Sequence, residues 1–494
     1  MNHQIQSTVK HPRAIDPAHM KVLLVKPYWQ WGPGFEASPP MGLLYLSSSL
    51  KKRFPGISTR LLDLRLEKGK LASLEKVINS WEPDLVGFLS LTGDHAILAR
   101  LSEAIKKIAP HIHVSCGGPY PTHCPEDFQN LIHVDSIVRG EGENSICDLV
   151  DYLSGRQTAE TLPAKGVGLR QTDGTLTLPA HSPLSPALEN MPFPDWDLLD
   201  IDLYSKAIQI NAVLGGKRYM PIVTSRGCPF HCIYCHAMFG KTARLRSPEN
   251  VVDEIETLVK QYRVDEIQIY DDIFNIDQER VMAICDMIIR KNLSIKISFP
   301  NAIRGDMMDD AMILKLKQAG AYMITFAIET ASSRLQKMIR KNLDIEKTIK
   351  AIRFANSIGL ITRGFFMIGF PTETEDEIKK TIRLPHHLPL TTFSLFSVIP
   401  FKGTDLHGLA REKTNAKGRL RLSQPDPTYF APRTYYTDET GISLRKYILI
   451  AYFLFFTPLR ILRYFIKIPR KALYLRQIMG ILKMGFITRK NDLK

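Results

Sequence analysis

The chain has 494 residues, of which 23% are charged and 44% hydrophobic, and this is the composition of a globular enzyme with about two to four domains. The net charge of +15 does not indicate nucleic-acid binding, because residues 441–494 alone hold 12 Lys and Arg and 1 acidic residue. Seven cysteines and no secretory pattern predict a reducing cytoplasm, and no apolar run reaches the ~18 residues of a membrane span.

The first part of the chain alternates short apolar strands with helices. Residues 1–19 are polar, and we expect them to be a disordered lead. Strands are predicted at 21–25, 59–64, 85–90, 111–116 and 136–139, with helices at 41–52, 97–109 and 145–153. The repeated strand–helix–strand order predicts an α/β fold with a doubly wound parallel sheet, which we assign to residues 20–155.

The loops at the carboxyl ends of these strands form the candidate ligand-binding edge, because doubly wound sheets bind their ligands there. A glycine in such a loop lets the backbone approach a ligand closely, since it has no Cβ. The candidate contacts are Ser90, Thr92, Gly117, Gly118, Glu141 and Gly142. The alternative is a flavodoxin-like sheet that binds nothing.

Residues 156–218 are rich in proline, and we expect a linker there. Residues 219–402 then alternate again. Strands are predicted at 219–227, 266–270, 295–299, 322–328, 362–368 and 392–399, with helices at 249–263, 278–291, 309–319 and 345–358. Thr372 and Glu375 have the spacing of a capping box at the start of one further helix. Six βα repeats predict a partial, open barrel whose chemistry lies in the loops after its strands.

Three cysteines, Cys228, Cys232 and Cys235, follow the first of these strands. Four thiolates would fully ligate a zinc ion or a cubane cluster, whereas three leave one iron of a cubane open. A zinc site using His231 or His236 as the fourth ligand is the alternative. The spacing, with an aromatic residue before the last cysteine, resembles the radical S-adenosylmethionine (SAM) enzymes. The resemblance implies a [4Fe–4S] cluster whose open iron chelates SAM, and reductive cleavage of SAM to a 5′-deoxyadenosyl radical.

The same resemblance implies roles for residues that follow the other strands. It places Tyr234 beside the adenine of SAM, and Asp271 and Asp272 near the SAM amino group. It places Glu329 at the ribose or the methionine end, and Gly369 in a turn where the adenine approaches the backbone. Each residue alone also has an ordinary structural explanation as a cap, a turn or part of the core.

Residues 20–155 resemble the cobalamin-binding domain that precedes many radical SAM cores. Ser90-Leu91-Thr92 matches its Ser-x-Leu/Thr turn, and Gly117-Gly118 matches its Gly-Gly pair. Related methyltransferase modules carry Asp-x-His-x-x-Gly after the first strand, but residues 27–32 contain no such His. The resemblance therefore implies cobalamin without a protein His on one face, or a domain that has lost cobalamin.

Together these resemblances imply an enzyme that methylates an unactivated carbon, or phosphorus, of a hydrophobic small molecule. Methylcobalamin would supply the methyl group, a second SAM would recharge it, and flavodoxin or ferredoxin would supply the electron. The alternatives are a radical oxidative cyclase or rearrangement enzyme acting on a tetrapyrrole or natural product, and a corrinoid or cluster carrier without catalysis. tRNA methylthiolation would require three more N-terminal cysteines and a basic RNA-binding domain, and neither is visible.

The segment 403–494 changes character along its length. Residues 403–440 are polar with several prolines, and we expect them to cover the barrel. Residues 447–456 are apolar, and basic residues interleaved with apolar ones follow, with Pro458 and Pro469 as breaks. This pattern predicts either helices in the headgroup layer of a membrane, which favours a lipid-like substrate, or a helical pack on the barrel with snorkelling Lys and Arg.

Overall fold

The computed structural model describes residues 15–28, 38–67, 70–184, 187–207, 213–236, 238–415 and 442–475. The described chain forms two compact units that divide after Asp200. Most of the predicted lead, residues 1–14, lies outside the described residues, as does the stretch 416–441 of the predicted covering segment. Within the rest of the lead, Pro17–His19 form one 3₁₀ turn. The side chain of Asp16 caps this turn by accepting a hydrogen bond from Ala18 N.

The first unit contains one six-stranded sheet. Its strands are β1 (Lys21–Lys26), β2 (Ser58–Asp63), β3 (Leu85–Leu89), β4 (His113–Gly117), β5 (Ser136–Val138) and β6 (Val167–Leu169). Its helices are α1 (Met41–Arg53), α2 (Leu71–Trp81), α3 (His95–Ile108), α4 (Pro119–His123) and α5 (Gly142–Leu153). The strand order is β2-β1-β3-β4-β5-β6, parallel except for β6. One apolar cluster contains residues of α2 and α3, and a second, separate cluster contains residues of α1 and α5. These two layers confirm the doubly wound parallel sheet.

The predicted linker begins within this first unit. Strand β6 pairs antiparallel with β5, although its short sequence has no alternation that would identify a strand. Further along, the carboxylate of Asp195 accepts hydrogen bonds from Ser47 Oγ at 2.5 Å and forms an ion pair with Lys51 Nζ at 2.7 Å. These contacts attach the proline-rich stretch to helix α1, so the stretch before residue 200 is part of the sheet domain.

Among the described residues, the second unit contains eight strands and ten α-helices, besides short 3₁₀ turns and the helical residues 471–475. The strands are β7 (Tyr219–Ile222), β8 (Ser225–Arg226), β9 (Arg244–Leu245), β10 (Glu266–Ile269), β11 (Lys296–Ile303), β12 (Ala321–Glu329), β13 (Ile361–Ile368) and β14 (Thr392–Ser397). The helices are α6 (Ile201–Lys206), α7 (Pro248–Tyr262), α8 (Gln278–Arg290), α9 (Asp310–Gln318), α10 (Ser333–Met338), α11 (Ile345–Ser357), α12 (Glu375–His387), α13 (Asp405–Asn415), α14 (Leu444–Phe455) and α15 (Pro458–Lys467). Six parallel strands in the order β14-β13-β12-β11-β10-β7 confirm the predicted partial barrel.

The capping box of α12 is formed by other residues than predicted. The Thr374 side chain accepts a hydrogen bond from the backbone N–H of Glu377. The Glu377 side chain in turn accepts one from the backbone N–H of Thr374. Thr372 also has a glutamate three residues later, so the sequence fits both positions equally. Thr372 has a backbone φ of +66° and lies outside the helix, which leaves the cap to Thr374.

The end of the described chain packs on α12. The Phe393 ring lies 4.8 Å from that of Tyr452 and 4.7 Å from that of Phe455, and the Tyr447 hydroxyl donates to Glu375. Within the described residues, every single helix falls short of the length and apolar character of a membrane span. Only α14 and α15 taken together reach it, and they are bent by 73° at the break between them. The structure thus contains part of the predicted helical pack.

Candidate active site

The three cysteines lie in a loop that leaves β8 and returns at β9. Gly227 turns the chain into this loop with a φ of +85°, and a Cβ there would lie 2.3 Å from the Thr242 carbonyl oxygen, so only glycine fits. Cys228 and Cys232 are half-buried and Cys235 is exposed, and all three are free thiols. The loop therefore presents three thiols at the barrel's surface.

The middle of the loop is anchored in the protein. Ile233 is buried with Leu335, Ile339 and Phe370. Its backbone N–H donates to the Ile339 carbonyl at 3.1 Å, and its carbonyl accepts from Leu406 N at 2.9 Å. This anchor lies between Cys232 and Cys235 and fixes the backbone of the loop there.

A second anchor holds the start of the loop. The Arg304 guanidinium lies 3.9 Å from the centre of the Phe230 ring, a cation–π contact, and also donates to the Lys341 carbonyl at 2.9 Å. Lys241 Nζ donates to the Phe230 carbonyl at 2.9 Å. Arg304 was not identified from the sequence, because the contact joins segments more than seventy residues apart.

Cys228 and Cys235 hold their protons at neutral pH, so a metal cluster would have to displace them. Burial raises the pKa of Cys228 above its usual value. The pKa of Cys235 is raised to about 11, first by the surrounding protein atoms, although its own surface is open to solvent, and then by Asp272 and the other two thiols. Metal binding removes such protons. Among the described residues, no three His, Cys, Asp or Glu side chains already converge to hold a metal ion.

The histidines of the loop give the zinc alternative no support. His236 Nε2 lies 3.2 Å from the Lys402 carbonyl oxygen, and its ring packs 5.7 Å from that of Phe401. His231 is exposed to solvent. The arrangement of the loop fits a three-cysteine cluster site, with both histidines outside the ligand set.

Asp271 and Asp272, at the end of β10, differ in burial and in the groups that donate hydrogen bonds to them. Asp271 is buried, and its carboxylate accepts from Thr224 N at 2.6 Å and Ser225 Oγ at 2.7 Å. Burial raises the pKa of Asp271, and these donors oppose that rise. Asp272 is exposed and accepts from Gly227 N at 3.1 Å. Asp271 therefore positions the chain that enters the cysteine loop, whereas Asp272 keeps an oxygen available at its rim.

Tyr234 and Glu329 are brought together with a residue that the sequence did not indicate, Lys341. Glu329 Oε1 accepts from Lys341 Nζ at 2.9 Å and from the Tyr234 hydroxyl at 3.2 Å, and Lys341 Nζ lies 3.3 Å from that hydroxyl. Glu329 and Lys341 are buried, and burial and the Glu329 charge hold the pKa of Tyr234 well above its usual value. Glu329 has a φ of +68°, a strained conformation of the kind that functional sites retain.

The predicted turn at Gly369 is built around Glu373. Its Oε2 accepts from Gly369 N at 2.5 Å and from Phe370 N at 3.0 Å, while Oε1 is buried without a hydrogen-bond partner. Burial raises the pKa of Glu373 to about 8. The buried carboxyl thus fixes the backbone that leaves β13, close to Phe370, which lies 6.3 Å from the Tyr234 ring.

One face of β13 and β14 carries half-exposed aromatic and apolar side chains. Along β13, Arg363, Phe365 and Met367 alternate with fully buried residues, so they share a face. The Phe365 ring lies 5.3 Å from that of Phe396, and the Arg363 guanidinium lies 4.8 Å from Phe365 and donates to Ser394 Oγ at 2.7 Å. This face offers apolar contact surface on the strands that lead to Gly369.

In the first unit, the predicted contacts meet at the carboxyl edge of the sheet. Ser90 Oγ donates to the Gly117 carbonyl at 2.8 Å. Gly118 has a φ of +100°, and a Cβ there would lie 2.8 Å from Leu89 Cδ1 and 2.9 Å from the Ser90 carbonyl oxygen. Glycine is thus required at position 118 by the protein atoms that pack against it. At Gly117 the nearest atom to an added Cβ is 3.7 Å away.

The remaining predicted contacts of this edge lie in two turns. Thr92 is half-buried in the turn between β3 and α3, and Glu141 is buried immediately before α5, which begins at Gly142. The sequence did not indicate a buried ion pair at the end of β1, where Lys26 Nζ lies 4.0 Å from Asp94 Oδ2. A charged residue that directly follows an apolar strand was the signal available for it.

Two family models match the chain. The radical SAM superfamily matches residues 222–384, which include the cysteine loop and β10 to β13. A B12 binding domain matches residues 36–150, which cover most of the first sheet. The two matches fall in the two units that the structure separates.

Curated relatives extend these matches over most of the chain. An uncharacterized methyltransferase of Pyrococcus horikoshii is 31% identical over 74% of this chain and 77% of its own length. The anaerobic magnesium-protoporphyrin IX monomethyl ester cyclase of Rubrivivax gelatinosus is 26% identical over 77% and 69%. The hopanoid C-3 methylase of Methylococcus capsulatus is 26% identical over 81% and 75%.

Solved structures share the fold at low sequence identity. The cobalamin-dependent SAM radical enzyme OxsB, with aqua-cobalamin and SAM bound, matches with a TM-score of 0.72 at 16% identity, covering 95% of this chain and 73% of that one. The radical SAM methyltransferase TsrM from Kitasatospora setae, with cobalamin and a [4Fe–4S] cluster bound, matches at 0.67 and 18% identity, covering 89% and 91%.

Proposed function

Because this chain belongs to the radical SAM superfamily and carries a B12-binding domain before its radical SAM core, we propose that it methylates an unactivated carbon of a hydrophobic small molecule. Its cofactors are a [4Fe–4S] cluster, SAM and cobalamin, which confirms the sequence-based expectation. When bound, the cluster and SAM supply a 5′-deoxyadenosyl radical, and cobalamin supplies the methyl carrier.

The observation that carries the proposal is the anchored three-thiol loop beside the contact of Tyr234, Glu329 and Lys341. In the proposal, Cys228, Cys232 and Cys235 hold the cluster. Their loop cannot shift easily, because Ile233 and Phe230 are fixed by the protein around them. Among the described residues the three thiols do not yet converge, so cluster binding would draw their side chains together within this anchored loop.

The SAM contacts proposed here lie at the ends of four barrel strands. The Asp272 carboxylate, exposed at the rim, faces the positive amino group, while Asp271 acts through Thr224 and Ser225 by positioning the loop. Glu329 offers carboxylate oxygen to the ribose or methionine end. Tyr234 and the Gly369 turn form the adenine end, where Glu373 holds the backbone in place.

In the first unit, the cobalamin contacts proposed are the six residues of the carboxyl edge. At Gly117 an added Cβ would meet Val138 Cβ only at an ordinary contact distance of 3.7 Å, whereas Gly118 and Ser90 act by holding that turn in shape. Thr92, Glu141 and Gly142 lie in the adjoining turns. Of the loop 27–32, whose sequence lacks the cobalt-binding His of related modules, residues 29–32 are outside the described residues.

The proposed substrate is hydrophobic because the half-exposed face of β13 and β14 carries Phe365, Met367 and Phe396. Apolar side chains of this kind line most small-molecule pockets. Among the relatives, one is named as a hopanoid C-3 methylase, which acts on a lipid-like molecule, and this supports methyl transfer to carbon. The electron donor proposed is a flavodoxin or ferredoxin, in the reducing cytoplasm that free cluster thiols require.

A second candidate is radical oxidative cyclisation, which the match to the anaerobic cyclase of Rubrivivax gelatinosus favours. The two reactions differ in the fate of the SAM methyl group. Methylation adds that group to the product, whereas cyclisation removes hydrogen and adds no carbon. The half-exposed aromatic face would accommodate a flat tetrapyrrole as well as an isoprenoid, so the products must separate the two reactions.

The test uses the full chain, reconstituted anaerobically with iron, sulfide and cobalamin, and SAM carrying a trideuterated methyl group. Isoprenoid and tetrapyrrole candidates are incubated with reductant, and converted products are analysed by mass spectrometry. The proposal predicts a product that carries the trideuterated methyl group, together with 5′-deoxyadenosine. A converted product with fewer hydrogens and no label would contradict it and identify the cyclase.

A further inference from the structure

Helix α15 turns its apolar side toward solvent. None of its residues is buried, and Leu459, Leu462 and Ile466 are 57%, 57% and 64% exposed. These residues are three and four positions apart, so they share one face of the helix. A surface helix of a globular protein normally has the opposite arrangement, with its apolar stripe on the core. The inverted arrangement of α15 indicates that something apolar covers this face.

The orientation of α15 is fixed by its polar side. The Arg460 guanidinium donates to the carbonyls of His386 and Leu388 at the end of α12, and it lies 4.6 Å from the centre of the Phe455 ring. Tyr464 packs on an apolar cluster at the start of the barrel strands. Since these contacts hold the polar side against the protein, rotation of the helix cannot bury the apolar face.

Helix α14 adds a second exposed apolar patch. Its buried residues, including Tyr447, Ala451 and Phe455, recur at helical spacing on the side that faces the protein. On the other side, Leu449 and Phe453 are 63% and 85% exposed. Ile461, 50% exposed, lies off the stripe formed by Leu459, Leu462 and Ile466. The other exposed apolar residues of α14 and α15 form the docking face: Leu449, Phe453, Leu459, Leu462 and Ile466.

The segment that carries the docking face has charges of a single sign, although Glu375 at the start of α12 contacts Tyr447 of α14. Residues 442–475 contain no Asp or Glu. Their basic residues are Arg445, Lys446, Arg460, Arg463, Lys467, Arg470 and Lys471. A second copy of this chain would bring one set of these cations against an equal set, which is unfavourable. A surface with an anionic outer layer over an apolar interior complements both the apolar side chains and the Lys and Arg residues of these helices.

We infer that α14 and α15 dock this protein on an anionic membrane. Leu459, Leu462 and Ile466 enter the boundary between headgroups and acyl chains. The exposed bases of this segment, Arg463 and Lys471 among them, lie among the lipid phosphates. The 73° bend between the helices and the packing of α14 on β14 and α12 suit helices that lie at the interface. The inference goes beyond the proposed reaction and stands whichever substrate the barrel takes.

The test measures co-flotation of the full-length, cofactor-reconstituted protein with vesicles. One set contains equal parts of phosphatidylcholine and phosphatidylglycerol, and the other contains phosphatidylcholine alone. Binding to the anionic set should be about tenfold tighter or more, since several bases approach that surface. Hydrogen exchange in peptides covering 458–467 should slow when anionic vesicles are added, because the helix then leaves water.

The variant Leu462→Asp/Ile466→Asp should weaken binding to anionic vesicles by about tenfold or more, because charges replace side chains that enter the lipid. Arg463→Glu, which leaves the apolar face intact, should weaken it less and only for anionic vesicles. The matched control is Ile132→Asp in the first unit, where Ile132 is 67% exposed. Cluster content and 5′-deoxyadenosine formation should be unchanged in all three variants, which separates docking from catalysis.

Three results would overturn the inference. Equal recovery of wild type and Leu462→Asp/Ile466→Asp with anionic vesicles would exclude the docking face as the lipid contact. A dimer in sedimentation that this double variant converts to monomer would identify a second copy as the occupant. Exchange of 458–467 that anionic vesicles leave unchanged, while the protein floats with them, would show that another segment of this chain contacts the lipid.

Discussion

The cysteine loop and the carboxyl edge of the first sheet were both predicted from short patterns, but the structure builds them differently. In the second unit, the predicted residues are joined by side chains, as Tyr234 is to Glu329 and Gly369 is to Glu373. At the edge of the first sheet, position 118 requires glycine because a Cβ there would clash with Leu89 and Ser90. A substitution in the second unit should therefore affect several functional groups, whereas one in the first should affect the shape of a single turn.

The largest effect expected is from removing a cluster ligand. Cys232→Ala leaves two thiols in the loop, too few to hold a [4Fe–4S] cluster, so iron content and SAM cleavage should both be lost. Iron and sulfide analysis after anaerobic reconstitution checks this. Cys285→Ala removes a buried thiol from α8 in the same unit and should keep full iron content.

Breaking the contact of Glu329 with Lys341 should come next. Lys341→Met leaves a buried carboxylate without its cation, a change that costs about 3–5 kcal/mol at buried pairs. SAM affinity and the rate of 5′-deoxyadenosine formation should fall about a hundredfold or more, with iron content retained. Equilibrium dialysis of SAM measures the first quantity, and the exposed Lys337→Met is the control. Wild-type affinity in Lys341→Met would refute a role for Lys341 at the SAM site.

In the first unit, Gly118→Ala should act on one turn alone. The new Cβ would lie within 3 Å of Leu89 and Ser90 at a φ of +100°, so this unit should lose about 1–3 kcal/mol of stability. Cobalamin loading, read from the corrinoid absorbance, should drop while iron content stays full. Gly42→Ala is the control, since a Cβ there meets nothing within 4 Å. A parallel loss of iron would contradict the separation of the two regions.

The effect expected to touch function least is a pH dependence of stability from Glu373, with cofactor content unchanged. Its carboxyl pKa is about 8 in the folded protein and 4.5 ordinarily, so the folded state binds the proton more tightly than the unfolded chain. Wild-type stability relative to Glu373→Gln should therefore fall as pH rises from about 4.5 to about 8. Thermal midpoints across this range measure it, with the exposed Glu279→Gln as control. A constant difference between the two proteins would show that Glu373 does not titrate in this range.

The sequence predicted those features that depend on local pattern. Apolar strands alternating with amphipathic helices identified both sheets, and the cysteine spacing identified the loop. Features that depend on long-range contact were not predictable. Arg304 and Lys341 meet the loop across more than seventy residues, and neither carries a local signal. The capping box of α12 is a third case. Its local pattern fits both Thr372 and Thr374, and only the backbone conformation in the folded protein determines which one caps the helix.

The most direct test of the account is SAM cleavage by the intact protein. The full chain is reconstituted anaerobically with iron, sulfide and cobalamin, then given SAM and reductant, and 5′-deoxyadenosine is quantified by liquid chromatography. The account predicts its formation in wild type and its absence in Cys232→Ala. A wild-type protein with a full complement of iron that forms none, or a Cys232→Ala protein that forms as much, would contradict the central claim.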